Sequence, residues 1–301
     1  MRVRDSVAAG VLCMIVLAGM TPVAAADDGY RVLTPGGAIT GIALSGDGSR
    51  ACVGTGTGLL AGYDAAGTNV WSVKKTSGVT ALAPAVTGTA FAAGFANGNV
   101  TLLDGNGRPI WEAPAGTPVT TIAFSGFGGL CVAGGERLVA FSARGERLWD
   151  AGGTDPVQSV AISADGEYIA TGSEAGDITL YGRRGNVLWS EFTHGTVSSV
   201  GIAGDASVVA AGSADDNLYA LNRKGSIQML KVTGTPIDMI ALSSSGAEIV
   251  VANRGGTVRF YGLGEDERWS AKMNGEITAV ALSGDGLVAA AADSAGNIRV
   301  F

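Results

Sequence analysis

One stretch of the chain, residues 157–189, reads VQSVAISADGEYIATGSEAGDITLYGRRGNVLW. Short runs rich in valine, isoleucine, alanine and threonine are separated in it by turns that each contain glycine. Runs of this length suit strands better than helices, and glycine supplies the backbone freedom that tight turns need. The stretch therefore predicts four short antiparallel strands, joined by turns at residues 163–166, 173–176 and 182–185.

The same pattern returns seven times along the chain. The apolar residues that open the copies are Ile39, Val79, Val119, Val157, Val197, Ile237 and Ile277, which lie 40, 40, 38, 40, 40 and 40 residues apart by subtraction. An all-β repeat of about 40 residues is typical of one blade of a β-propeller. We therefore predict an all-β, seven-bladed β-propeller of four-stranded antiparallel blades, with residues 27–301 forming a single domain.

The last copy ends at Phe301, where its third strand ends, so it lacks a fourth strand. An apolar stretch, residues 30–33 (Tyr-Arg-Val-Leu), precedes the first copy and has no place in it. We predict that this N-terminal strand completes the last blade and closes the ring, which would leave no unpaired sheet edge there.

Two features recur at fixed positions in the blades. A small residue stands fifteen positions after the opening residue, as Gly54, Gly94, Gly134, Gly172, Gly212, Ala252 and Ala292. The fourth strand carries a large residue, as Trp71, Trp111, Trp149, Trp189, Met229 and Trp269. A single tryptophan could stack on a sugar, but one repeated in blade after blade indicates packing between neighbouring blades.

The first 26 residues lie outside the repeats. Arg2 and Arg4 precede an apolar run from Val7 to Met20, and small residues follow at positions 24–26, as in a secretory signal peptide. We predict cleavage before Asp27 and an exported protein, in the extracellular space, the periplasm or the cell envelope. The alternative is a signal kept as a membrane anchor; no membrane span is expected in the mature chain.

Loss of the signal removes Arg2, Arg4 and Asp5 from 20 basic and 27 acidic residues, which leaves 18 and 26 and a formal charge of −8. This balance disfavours nucleic acid or an anionic membrane as partner, because both require clustered cations. Two cysteines remain, Cys52 and Cys131, on the second strands of blades 1 and 3. Their Cα atoms should exceed the ~7 Å limit for a disulfide, so we expect two buried thiols.

The repeats resemble two known families. The run SADGEYIATGS, residues 163–173, resembles the second-strand region of WD40 repeats, and the endings Gly145–Trp149 and Gly185–Trp189 resemble PQQ-like quinoprotein repeats. The resemblance implies an exported propeller similar to WD40-like and PQQ-like repeat proteins of archaea and bacteria, and it does not specify an activity. Quinoprotein enzymes would imply eight blades and a vicinal cysteine pair, and neither Cys52 nor Cys131 has a cysteine neighbour.

Candidate catalytic groups are few. His194 is the one histidine, and metal-dependent propeller hydrolases collect several around the channel. No Ser-His-acid set can be assigned from one histidine. The pairs Asp47-Gly48, Asp165-Gly166 and Asp285-Gly286 recur between first and second strands, which indicates hairpin turns rather than calcium loops. We therefore predict no catalytic residue, metal or cofactor.

The function we predict is that of a non-enzymatic binding platform for a protein or cell-envelope partner. Such a partner would meet the rim that carries the strand-2-to-3 turns and the connections between blades. The residues that break the repeat on this rim are Lys74, Lys75, Phe95, Glu112, Glu191, Phe192, His194, Lys231, Arg254, Lys272 and Met273. The alternative is an enzyme of divergent quinoprotein or propeller-hydrolase type, for which carboxylates should converge with His194 at the channel mouth; carbohydrate binding is a third possibility.

Overall fold

The computed structural model describes the backbone of residues 15–17 and, in full, residues 38–45, 49–84, 90–126, 129–152, 155–294 and 297–301. These residues form seven β-sheets, and in six of them four antiparallel strands follow one another in chain order. This confirms the predicted seven-bladed propeller. No helix in these segments is long and apolar enough to cross a membrane.

The first four blades follow a short N-terminal strand and use their strands in chain order. The strands are β1 (Ile15–Leu17); β2 (Ile39–Leu44), β3 (Arg50–Thr55), β4 (Leu59–Asp64) and β5 (Asn69–Lys74) in blade 1; β6 (Val79–Pro84), β7 (Phe91–Phe95), β8 (Asn99–Leu103) and β9 (Pro109–Pro114) in blade 2; β10 (Thr121–Phe124), β11 (Leu130–Gly134), β12 (Leu138–Ser142) and β13 (Arg147–Ala151) in blade 3; and β14 (Val157–Ile162), β15 (Tyr168–Ser173), β16 (Asp177–Gly182) and β17 (Val187–Phe192) in blade 4.

The remaining blades follow the same plan. Their strands are β18 (Val197–Ile202), β19 (Val208–Ser213), β20 (Asn217–Asn222) and β21 (Ile227–Val232) in blade 5; β22 (Met239–Leu242), β23 (Glu248–Ala252), β24 (Thr257–Gly262) and β25 (Glu267–Lys272) in blade 6; and β26 (Ile277–Ser283), β27 (Ala289–Asp293) and β28 (Ile298–Val300) in blade 7.

Each blade is buried on both faces except at its outermost strand. In blades 1 to 6 the second and third strands are mostly buried, as β15 and β16 are, whereas the fourth strands, such as β17, expose about every other residue. First strands of neighbouring blades contact one another, as β14 and β18 do, so the first strands line the central channel. Small alanine, glycine and valine side chains suit this crowded interior.

Blade 7 differs from the others. Its outermost described strand is β28, and β1 pairs in parallel with β26 on the channel side of the blade. The stretch predicted to complete this blade, residues 30–33, lies outside the described residues, so ring closure stays a prediction.

The recurring small residue is explained by the next blade. A Cβ atom added to Gly54 would lie 2.5 Å from Val79 Cγ1, and one added to Gly94 would lie 2.4 Å from Val119 Cγ1. Both contacts are far closer than carbon atoms can approach without displacement. The side chain that opens each blade therefore packs directly onto the backbone of the preceding one.

This contact can be tested with two glycines of the first blade. Gly54→Ala is expected to lower the free energy of unfolding by about 1–3 kcal/mol, the usual cost of overpacking a buried contact. Gly56→Ala is the matched control, since its Cβ would meet only Thr40 Cγ2 at 3.4 Å. Thermal and urea unfolding of both variants measure the difference; equal stabilities would contradict the proposed role of Gly54.

The repeated tryptophans pack between blades, as predicted. The indole Nε1 atoms of Trp71, Trp149 and Trp189 donate hydrogen bonds of 2.7–2.9 Å to carbonyl oxygens of Gly105, Arg183 and Arg223 in the turn between the third and fourth strands of the next blade. Each ring also covers a glycine of that turn. At Met229 the sulfur accepts the Gly264 amide at 3.4 Å, which preserves the contact.

Gly185 shows why these turns require glycine. Its φ of +81° lies in the left-handed region, and an added Cβ would be 2.7 Å from Trp149 Cδ2. The glycine-x-x-x-tryptophan ending of a repeat therefore joins two functions: the glycine receives the previous blade's tryptophan and the tryptophan docks on the next blade.

Cys52 and Cys131 are buried, in different hydrophobic clusters. Among the described residues no disulfide joins them, and that the purified protein contains none stays a prediction. Burial raises the pKa of the Cys131 thiol well above its usual value, which makes it a poor nucleophile.

Candidate interaction rim

The rim that carries the strand-2-to-3 turns is braced by backbone hydrogen bonds. The Thr193 amide donates to Gly176 O at 2.8 Å, and the Ala214 amide donates to Thr196 O at 2.9 Å. The same pair of bonds recurs at the junction of blades 1 and 2, from Lys75 to Gly58 and from Ala96 to Gly78. Each such turn is therefore held by connections on both sides, and side chains on the rim project from a fixed frame.

Three of the predicted rim residues meet at the junction of blades 1 and 2. Lys75 Nζ lies 2.6 Å from Glu112 Oε2 and 6.0 Å from the centre of the Phe95 ring. The hydrogen bond from Lys75 lowers the pKa of Glu112, so this carboxylate stays ionised near neutral pH. Asn97 and Asn99 complete the wall of this shallow cleft, whose floor is the buried Phe95.

A second group forms at the junction of blades 4 and 5. Phe192 is 59% exposed, and its ring stands edge-on to the exposed His194 ring at 6.0 Å between centres. The backbone amide of His194 donates to Asp215 Oδ2 at 3.1 Å, and the Tyr219 hydroxyl donates to the same oxygen at 2.7 Å.

These contacts determine the ionisation of Asp215 and Tyr219. Burial would raise the pKa of Asp215, but hydrogen bonds from Tyr219 and from the His194 amide outweigh it and lower the pKa. Burial and the bond to Asp215 raise the pKa of Tyr219 to about 12. At neutral pH Asp215 is therefore an anion and Tyr219 a neutral hydrogen-bond donor. Their contacts hold the loop that contains His194 in place.

The other predicted rim residues do not join either group. Lys74 Nζ donates to Thr57 O at 2.7 Å, and Lys272 Nζ donates to Gly255 O, so both lysines cap a turn carbonyl. Lys231 pairs with Asp266 at 2.6 Å, and Arg254 Nε lies 3.5 Å from Asp238 Oδ1. Glu191 is half-buried on the outer strand of blade 4. Met273 is buried and, like Phe95, supports the rim from below.

Sequence reasoning missed Asn97, Asn99, Asp215 and Tyr219. Asn97 and Asp215 occupy the same position in blades 2 and 5, and a comparison of the copies at that offset could have found them. The sequence gives no signal for Tyr219, because only the three-dimensional structure shows that its hydroxyl reaches the Asp215 carboxylate. His194 contacts one carboxylate through its backbone, and the described residues contain no group of three histidine, cysteine, aspartate or glutamate side chains that could hold a metal ion.

The chain is similar to known proteins of the propeller class. Residues 31–130 match the family model described as outer membrane protein assembly factor BamB, of the PQQ-like repeats, and residues 147–181 match the WD domain, G-beta repeat. No curated protein matches the sequence. Among solved structures, the β-propeller domain of Cps50 (Swd1) from Myceliophteria thermophila superposes with a TM-score of 0.73 at 13% identity, over 88% of this chain and 96% of that one.

The architecture and the two family models agree. The chain is a seven-bladed β-propeller, and its repeats resemble those of WD40-like and PQQ-like proteins. The structural similarity to the Cps50 domain establishes the fold alone, because the identity is low.

Proposed function

We propose that this propeller is a non-enzymatic platform that binds a protein partner through its braced rim. The observation that carries the proposal is the group at the junction of blades 4 and 5, where an exposed aromatic side chain, Phe192, ends strand β17 beside a loop that Asp215 holds through the His194 amide. Aromatic side chains exposed on rigid surfaces are enriched in protein interfaces. A fixed loop also loses little conformational freedom on binding, which favours affinity.

We further propose that the partner belongs to the cell envelope. Two observations support this: the match of residues 31–130 to a model described as an outer membrane protein assembly factor, and the signal-like residues 1–26. Cleavage before Asp27 would remove β1, and β26 would then be the innermost strand of its blade, as the first strand is in the six other blades. Mass spectrometry of the exported protein would identify its N-terminal residue.

The platform is tested by capture from the native envelope fraction with matched variants. We expect wild-type protein to retain a partner that Phe192→Ser loses, because the exposed ring would be the centre of the contact. Leu287→Ser is the control, since Leu287 is an exposed apolar residue in a turn between a first and a second strand, away from the rim.

Two results would contradict the platform. One is a partner retained equally by wild type, Phe192→Ser and a rim variant that combines Glu191→Gln, His194→Ser and Arg254→Gln. The other is loss of the partner by Leu287→Ser alone. Unfolding temperatures within experimental error of wild type are required of each variant, so that a loss of binding is not a loss of fold.

A further inference from the structure

The opposite side of the ring carries a row of cations. Arg108, Arg144, Arg184 and Lys224 lie in the turns between the third and fourth strands of blades 2, 3, 4 and 5. All four are exposed, and within the described segments none of their side chains forms an ion pair, a hydrogen bond or a ring contact. Four neighbouring blades thus present one unpaired positive charge each.

Each cation has an exposed aliphatic neighbour. Ile110, Leu148, Leu188 and Ile227 follow the four cations by two to four residues, at the start of the fourth strands, and are 45–53% exposed. We call these eight residues the basic arc. Cations interleaved with exposed aliphatic side chains differ from an ordinary solvated surface, where charges of both signs mix.

The arc ends sharply at both sides. Blade 6 has Glu265, Asp266 and Glu267 in the equivalent region, and all three are paired with basic side chains. Blade 1 has two alanines in its turn, at positions 65 and 66. Since the scaffold is the same in every blade, the packing of the propeller does not account for a feature confined to blades 2–5.

The carboxylates nearest the basic arc accept hydrogen bonds from other groups. Asp104 accepts the backbone amides of Asn106 and Arg108, and Glu146 accepts the Ser142 hydroxyl at 3.3 Å. Neither lies in an ion pair with an arc cation. The four positive charges are therefore available to an external anion.

We propose that the basic arc binds an acidic segment of a protein partner, whose carboxylates meet the four cations and whose apolar side chains cover the aliphatic residues between them. Complementary charge gives such a contact its orientation and speed of association, and the aliphatic residues supply the area that is removed from water. The surface is separate from the rim proposed above and lies on the other side of the ring.

The positions of the charged residues around the basic arc favour an acidic protein segment over a flat anionic membrane as the ligand. The turns between first and second strands lie on the same side but nearer the channel, as the hydrogen bond from Arg183 Nη1 to Asp165 O at 3.4 Å shows. These turns carry the exposed carboxylates Asp165, Asp205 and Asp285. A flat anionic surface would meet them and be repelled, whereas a segment that follows the arc passes outside them.

Fluorescence anisotropy with a labelled peptide of alternating glutamate and valine tests the proposal. We expect saturable binding that weakens with salt, and a loss of affinity of about tenfold or more when Arg108, Arg144, Arg184 and Lys224 are all replaced by glutamine, since each exposed pair contributes a few tenths to 1 kcal/mol. Serine at Ile110, Leu148, Leu188 and Ile227 should weaken binding without changing its salt dependence.

The matched control removes four cations from the other side of the ring: Lys74→Gln, Lys75→Gln, Arg254→Gln and Lys272→Gln in one chain. It has the same net charge as the arc variant, and we expect it to bind the peptide as wild type does. The proposal would be overturned if the peptide did not bind saturably, or if the arc and control variants lost equal affinity. It would also be overturned if a glutamine-valine peptide bound equally well, or if the arc bound phosphatidylglycerol vesicles and not the peptide. If the wild-type protein captures no envelope partner but still binds the peptide through the arc, the result would count against the platform alone.

Discussion

Trp111→Ala is expected to lower the free energy of unfolding by about 3–5 kcal/mol, the usual loss for a large buried aromatic side chain. Trp111 is 9% exposed, and its ring centre lies 5.7 Å from that of Phe141 in the next blade. An added Cβ at Gly145 of that blade would be 2.7 Å from Trp111 Cδ2, so the ring fills the space between the blades. Truncation would leave a cavity there, and the unfolding temperature should fall by roughly 10 °C.

The neighbouring residue is the control for this experiment. Ile110 is 53% exposed on the same strand, and Ile110→Ala should change stability by no more than about 0.5 kcal/mol, as is usual for exposed sites. Urea and thermal unfolding of the two variants give the comparison. Similar losses of stability in both would show that strand β9, and not the tryptophan contact, determines the effect.

Two phenylalanine variants separate the ring from its N–H group. Trp71 Nε1 donates to Gly105 O at 2.9 Å, whereas Trp111 Nε1 is buried without a hydrogen-bond partner among the described residues. Trp71→Phe should therefore cost more than Trp111→Phe, by about 1 kcal/mol, because only the first substitution removes a hydrogen bond.

The blade could be predicted from sequence because its determinants repeat. Gly54 and Gly94 have the same function against Val79 and Val119, and each further copy confirms the previous one. The spacing of the copies predicted the number of blades, and the glycine turns predicted the number of strands. Such agreement between local pattern and global fold is typical of repeat proteins.

The rim was harder to predict because its contacts do not repeat. Phe95 and Met273 break the pattern of the copies, but breaking the pattern does not reveal whether a side chain is exposed, and both prove to be buried. The pair of Asp215 and Tyr219 depends on one hydroxyl reaching one carboxylate, and none of the six other blades has a tyrosine at the position of Tyr219. Departures from a repeat therefore identify candidate residues, and three-dimensional contacts decide which of them can meet a partner.

No described strand covers the outer edge of β28 in blade 7. Ile298 and Val300 on β28 are 47% and 65% exposed, whereas the equivalent Ile178 and Leu180 of blade 4 are fully buried. Among the described residues, no turn between a third and a fourth strand covers the Trp269 ring, which stacks on Phe301 with 4.7 Å between centres. Both features indicate that blade 7 requires a fourth strand.

Residues 30–33 have the spacing that this strand requires. In the six other blades the tryptophan, or Met229, stands eight residues before the opening residue of the next blade, and eight residues before Ile39 stands Arg31. The match to the PQQ-like family model also begins at residue 31. The repeat pattern therefore extends into this stretch, although these residues lie outside the described part of the chain.

Deleting residues 27–34 from the mature chain is expected to open the ring. Covering the exposed parts of Ile298 and Val300 should stabilise the fold by about 2–3 kcal/mol, so the truncated chain should unfold roughly 5–10 °C lower, and its exposed edge strand should pair with other molecules and aggregate. Thermal unfolding and light scattering of the mature chain with and without the segment measure both effects. As a control, the segment can be kept with Val32→Lys and Leu33→Lys, which should weaken closure while the length of the chain is unchanged. A truncated chain that remains monomeric with the unfolding midpoint of the mature protein would mean that the N-terminal stretch is a tail and that β28 remains an open edge.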